Sequence, residues 1–131
     1  MRRSNLVRFA LFASVAAAGF TFSGDPAALQ QTDVFNSSAD GYHTYRIPSL
    51  VVSKRGALLA FCEGRKDSKA DSGDIDLLLK RSTDGGKTWS PQQVVLDDGP
   101  NTCGNPCAVL DEQTGTVWLL MTRNDGRDKE S

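Results

Sequence analysis

The chain has 131 residues, a formal net charge of -1, 39% hydrophobic and 24% charged residues. That is an ordinary soluble profile, without the basic excess that nucleic-acid binding requires. Three cysteines and a single histidine, His43, with no Cys-x-x-Cys and no histidine cluster, argue against a zinc centre.

Met1 to about Phe22 reads as a secretory leader: Arg2, Arg3 and Arg8 form a positive end, and Phe9 to Phe22 an alanine-rich apolar core. The core is shorter than the roughly 20 apolar residues of a membrane-spanning helix. Cleavage is expected after Ala18 or near Ser23. The alternative, a buried helix, finds nothing helical downstream to pack on. The expectation is therefore an exported protein, periplasmic or extracellular, with no membrane span in the mature chain and a net charge of about -4. Residues 24–33, with Pro26 and Gln30-Gln31, read as a linker, and residues 34–131 as the folded part.

From Thr32 onward the pattern is strands and turns. A first strand is expected from about Tyr45 to Val52, followed by a turn at Ser53-Lys54-Arg55-Gly56. A second, Ala57 to Glu63, is nearly unbroken apolar sequence suited to burial on both faces. A polar loop, Gly64 to Gly73, leads to a third strand, Asp74 to Arg81. Asp84-Gly85-Gly86 then signals a hairpin turn, since glycine takes positive φ without steric cost. Asp84 is placed to accept hydrogen bonds from following amides, with Trp89 clamping the turn. The fourth strand covers about Gln92 to Leu96. Four antiparallel strands in about 50 residues is the size of one β-propeller blade. After Asp97 to Gly104 a second blade opens, with strands at Pro106 to Leu110 and Thr116 to Thr122 around a turn at Asp111 to Gly115. Pro48 fits an edge strand, such as the innermost strand of a blade.

Hairpin connectivity sets which residues share an end of the sheet. Arg46 starts its strand and Arg65 ends the next, so both lie at one end, with the loop carrying Asp67 and Asp71. Asn105 and Arg123-Asn124 return to that end, and the Asp84 turn lies opposite. Cys62, Cys103 and Cys107 allow more than one pairing, or none.

Ser82-x-Asp84-x-Gly86-x-Thr88-Trp89 resembles the Asp-box of sialidases and related propellers. Tyr45-Arg46-Ile47-Pro48, Glu63-Gly64-Arg65, the acidic loop and Gly104-Asn105-Pro106 follow in the order of the exo-α-sialidases. The resemblance covers about Val34 to Asn124. It implies an all-β fold, the first one and a half to two blades of a six-bladed propeller. It implies a retaining glycoside hydrolase acting on terminal sialic acid of sialylated glycans, without cofactor or metal. Arg46 matches the first of three arginines that hold the sugar's carboxylate, a task suited to the bidentate guanidinium. Arg65 matches an arginine near the 4-hydroxyl, and Asn105 a position facing the N-acetyl side. Asp71, six residues after Arg65, matches the acid/base, with Asp67, Asp74 and Asp76 expected to raise its pKa. The plain alternatives are a surface ion pair for Arg46, a solvated loop charge for Arg65, a solvated turn for the acidic loop, and a turn before Pro106 for Asn105. Calcium binding is disfavoured because the aspartates lack EF-hand spacing.

Sialidases use a tyrosine nucleophile, which spares the substrate's carboxylate a second anion. Neither Tyr42 nor Tyr45 matches it, and two arginines and the assisting glutamate have no match. The expectation is a sialidase portion that is inactive and poorly folded alone. The competing readings are a non-catalytic module binding acidic sugars and an unused remnant.

Overall fold

The computed structural model describes residues 31–129, so the leader and most of the linker lie outside the described residues. The described residues form six strands: β1 Thr44–Val52, β2 Leu58–Arg65, β3 Ile75–Ser82, β4 Gln93–Leu96, β5 Thr102–Leu110 and β6 Val117–Asn124. β1 to β4 form an antiparallel meander, and β5 and β6 an antiparallel hairpin. A single parallel bridge, Ile75 to Thr102, joins the two. Thr102 Oγ1 supports it by donating to the Gly73 carbonyl at 2.9 Å. A full four-stranded blade and the first half of a second thus stand in sequence order, a partial propeller. Among the described residues no helix is long and apolar enough to cross a membrane.

The two hairpins turn by the same device. In the first, Gly56 at φ +80° closes on the Ser53 carbonyl (2.8 Å), and the Ser53 hydroxyl accepts the Ala57 amide (3.0 Å). In the second, Gly115 at φ +77° closes on the Asp111 carbonyl (2.7 Å), and the Asp111 carboxylate accepts the Gln113 amide (2.9 Å).

Their leading strands share a defect as well. β1 carries one extra residue between Arg46 and Ser49, and β5 one between Gly104 and Cys107. In each case the residue before a proline, Ile47 or Asn105, sits at φ +52°. Proline has no N–H for the ladder, so a bulge is where a strand tolerates it. Left-handed backbone suits asparagine, but for β-branched Ile47 it is strained. β1 is also an edge strand, as Pro48 requires.

Burial follows the apolar run of β2, whose residues Ala60 to Arg65 are all buried, and the first half of β3. Ile75, Leu77, Leu78, Cys62 and Cys103 are almost wholly enclosed. Gly64 has no side chain because a Cβ there would overlap Leu78 and the Tyr42 ring, 2.7 Å away. β4 is exposed along its length, and on β6 Trp118 and Leu120 are exposed while Val117 and Leu119 are half-buried. All three cysteines are free thiols.

The third hairpin differs from the tight turn that Asp84-Gly85-Gly86 suggests. β3 ends at Ser82 and β4 begins at Gln93, so residues 83–92 form a longer connection. Gly85 and Gly86 do take positive φ (+76° and +88°). They serve a compact loop in which Ser82 and Asp84, rather than a strand ladder, collect the loose amides.

Candidate active site

At the Arg65 end of the sheet, β1 and β2 pair Arg46 with Glu63, which sets the Arg46 guanidinium above the start of the loop after β2. That loop, residues 66–74, folds back over Arg65, whose Nη1 donates to the Lys69 and Ala70 carbonyls at 2.7 Å each. Asp71 is thereby delivered to both arginines. Its Oδ1 lies 2.8 Å from Arg46 Nη1 and 2.7 Å from Arg65 Nη2.

The two arginines are not equivalent. Arg65 is 3% exposed, and Nε and Nη2 also donate to Glu63 Oε2 at 3.1 and 2.7 Å. Its fork is thus filled by Glu63, the loop carbonyls and Asp71, so it is not a solvated loop charge and acts first as the anchor of the loop. The Arg46 side chain is 45% exposed, and only its Nη1 has a partner among the described residues. Arg46 is the guanidinium with donors to offer.

Asp71 is exposed, and its pKa moves opposite to the expected direction. The hydrogen bond and charge of Arg65, with the charge of Arg46, hold its carboxyl below the usual carboxylate range. Two cations at bonding distance outweigh like-charge repulsion, and two of the three neighbouring aspartates, Asp74 and Asp76, are engaged elsewhere. Asp74, Asp76 and Asp97 gather around the Lys66 ammonium at 2.9, 3.2 and 3.4 Å. Their carboxylates lie close enough to one another to hold a cation, and Lys66 supplies that positive charge from within the chain.

Asn105 belongs to the bulge of β5 rather than to a turn. Its Nδ2 donates to Thr122 Oγ1 at 3.0 Å, and its own backbone N–H to Glu63 Oε1 at 3.0 Å. Arg123 lies at the same end and pairs with Asp98 at 2.6 Å. The topological argument thus brings Arg46, Arg65, Asp71 and Asn105 to one end of the sheet. Glu63 is the residue that side-chain reasoning passed over. Its signal was present, since Glu63 and Arg65 stand two apart on a strand and share a face.

Neither tyrosine has the character of a nucleophile. The Tyr42 hydroxyl donates to Asp76 at 2.5 Å, and burial with that contact pushes its pKa well above normal. Tyr45 donates to the Ala39 carbonyl at 2.7 Å, and burial pushes it up to about 12. The cleft beside the loop, lined by Arg65, Ser68, Ala70 and Ser72, is about 160 Å³. Ligand pockets run from roughly 300 Å³ upward, so this cleft by itself is too small for one.

Opposite lies the Asp84 loop. The Ser82 hydroxyl donates to Asp84 Oδ1 (2.8 Å) and accepts the Gly86 amide (2.9 Å). Asp84 accepts the Thr88 amide at 3.0 Å and hydroxyl at 2.5 Å, which holds its carboxyl far below the ordinary range.

These features agree with what the chain is similar to. The BNR repeat-like domain family matches residues 56–131. The exo-alpha-sialidase of Arthroderma benhamiae is 40% identical over 96 residues, 69% of this chain and 23% of that protein. The sialidase of Micromonospora viridifaciens is 36% identical over 110 residues, 80% of this chain and 17% of its own length. Sialidase-2 of Mus musculus is 36% identical over 78% of this chain and 28% of its own length. The solved Hadza microbial sialidase Hz136 superposes with a TM-score of 0.63 at 33% identity, over 70% of this chain and 20% of that one. The chain therefore spans between 17% and 28% of these curated relatives. With a matching family over more than half its length and these relatives beside it, the chain belongs to the BNR repeat-like domain family and, within it, to the exo-α-sialidases.

Proposed function

We propose that the chain contributes the carboxylate-binding and proton-donating half of an exo-α-sialidase that releases terminal sialic acid from sialylated glycans. The observation that carries this reading is the shared grip of Arg46 and Arg65 on Asp71 beside an exposed guanidinium. A sialoside carboxylate would take the place of Asp71 on Arg46 in a bidentate pair. Asp71 then loses one of its two cations and gains an anionic neighbour, and both changes raise its pKa. Binding of the substrate's anion thus prepares the proton that the leaving oxygen needs. Arg65 keeps Asp71 in reach throughout, and Asn105, with Oδ1 free of partners among the described residues, offers an acceptor to an amide substituent.

The nucleophile has to come from elsewhere in a propeller, since Tyr42 and Tyr45 are both committed. Residues 25 to 131 alone are accordingly expected to give no turnover of a fluorogenic sialoside. The leader-like pattern of Met1 to Phe22 supports export, which N-terminal sequencing of the secreted product checks.

A second reading, a module that holds acidic sugars without cleaving them, is favoured by the grip of two arginines on Asp71, which lowers its pKa. Leaving-group dependence separates the two. In a chain carrying the further blades, Asp71→Ala should slow natural sialosides about 10²–10⁴-fold, the usual worth of general acid catalysis. Aryl sialosides, whose leaving groups need little protonation, should slow far less. Equal losses on both kinds remove Asp71 from the acid role, and sialoside binding with no cleavage by any form supports the module.

A further inference from the structure

Glu63 has no part in the roles above, yet it is the most connected carboxylate of the site. It is 3% exposed, and its two oxygens do different work. Oε2 accepts both Nε and Nη2 of Arg65, while Oε1 reaches 42 positions along the chain to the backbone N–H of Asn105 at 3.0 Å. We propose that Glu63 is a positioning residue: by holding Arg65 with one oxygen and the Asn105 amide with the other, it fixes the spacing between the loop that carries Asp71 and the bulge of β5. The use of that spacing rests on the sialidase reading; the clamp itself does not.

A simpler role would be to neutralise a buried guanidinium. That accounts for Oε2 alone. The other oxygen is turned to an amide of the next hairpin, and two positions there are shaped around it. Gly104 carries no side chain, and a Cβ would overlap Oε1. Asn105 takes φ +52°, which aims its N–H at the carboxylate. From Arg65 the contact continues through the Lys69 and Ala70 carbonyls to Asp71. One carboxylate thus joins elements of two blades to the loop of the first.

The clamp needs a carboxylate of this length. Glutamine has one acceptor oxygen, so its NH₂ would face either the Asn105 N–H or the guanidinium, donor against donor. Aspartate is one methylene shorter and cannot span both partners.

The test is NMR on the isotopically labelled full chain. In the wild type, a scalar coupling across the hydrogen bond should link the Asn105 amide nitrogen to the Glu63 carboxyl carbon. In Glu63→Gln, the Asn105 amide should exchange about ten-fold faster or more, as expected for losing a bond to a charged acceptor. The Asp71 titration midpoint should fall in that variant, because Arg65 is left with Asp71 as its anion. Amides of the Ser82 to Thr88 loop, at the far end, should keep their rates, which excludes general loosening. Gly104→Ala, which pushes the carboxylate aside, should reproduce the Asn105 change.

A folded Glu63→Gln chain with unchanged Asn105 exchange and Asp71 midpoint overturns the proposal. So does an assigned wild-type Asn105 amide with no coupling, a result that stands even if the variants fail to fold. Absence of sialoside turnover in every extended chain would sink the sialidase reading and leave the clamp intact.

Discussion

The two ends of the β2–β3 pair differ in the reach of the contacts that hold them. At the Asp84 end, the bonds join residues two to four positions apart: Ser82 to Asp84, Ser82 to Gly86, Asp84 to Thr88. At the Arg65 end, local bonds of Arg65 to Glu63, Lys69 and Ala70 are joined by long-range ones: Arg46 meets Asp71 across 25 positions and Asn105 meets Glu63 across 42. A loop of the first kind is assembled by its own segment, whatever the rest of the chain does. The second kind exists only when three strands and a loop are in register. One end can thus form from its own segment, and the other depends on elements that each hairpin alone lacks.

The largest effect should come at the Arg65 end, where a buried ion pair underlies the long-range contacts. Arg65→Ala leaves Glu63 buried opposite no cation, a change that typically destabilises by about 3–5 kcal/mol. Urea unfolding of a chain carrying the further blades measures it. A loss under 1 kcal/mol would mean that this end is far less enclosed than its 3% exposure implies.

A smaller effect is expected at the local end. Ser82 is 1% exposed, and Ser82→Ala removes a donor to Asp84 and an acceptor for Gly86, worth about 1 kcal/mol. Its pH behaviour is specific. Asp84 has a folded pKa depressed below its unfolded value of about 4, so its contribution is full above that value. It is lost as pH falls below about 4 towards the folded pKa. Asp84→Asn should flatten this acid limb of the unfolding midpoint while leaving neutral pH little changed. An acid limb of the same slope in the variant would assign it to other carboxylates.

The smallest effect on stability should be Asp71→Asn. Asp71 is half exposed, so solvent screens its pairs with Arg46 and Arg65, and the urea midpoint should hardly move. Binding should respond in the other direction. Freed of its internal anion, Arg46 should take up N-acetylneuraminic acid more tightly by titration calorimetry. Unchanged or weaker affinity would show that Asp71 does not compete for that guanidinium.

How much of this was legible in the sequence depended on distance along the chain. The turns at Ser53 to Gly56 and Asp111 to Gly115 stand where their glycines and capping side chains put them, since each is closed by its own residues. Pro48 announced an edge strand because a missing N–H is a local property. The start of β5 was set four residues late, at Pro106, since Gly104-Asn105-Pro106 reads as a strand breaker. Pairing with β6 keeps Thr102 to Gly104 in the ladder and turns the break into a bulge. The direction of the Asp71 shift was missed for a similar reason. Counting nearby aspartates in the sequence gives repulsion, whereas folding gives two of them, Asp74 and Asp76, to Lys66 and leaves Asp71 to two arginines.

By itself, then, the sequence determined the all-β class, the order of the strands, the Asp84 loop and the end of the sheet to which Arg46, Arg65, Asp71 and Asn105 belong. All of these follow from side-chain periodicity, turn residues and chain direction, which act over a few neighbours. Only the tertiary structure decided that Arg65 is a buried anchor and Arg46 the open guanidinium, that the two arginines lower rather than raise the Asp71 pKa, and that Glu63 bonds the Asn105 amide of the next hairpin. The reason is that burial and charge environment depend on which distant groups register brings within about 3 Å, and no local pattern encodes that distance.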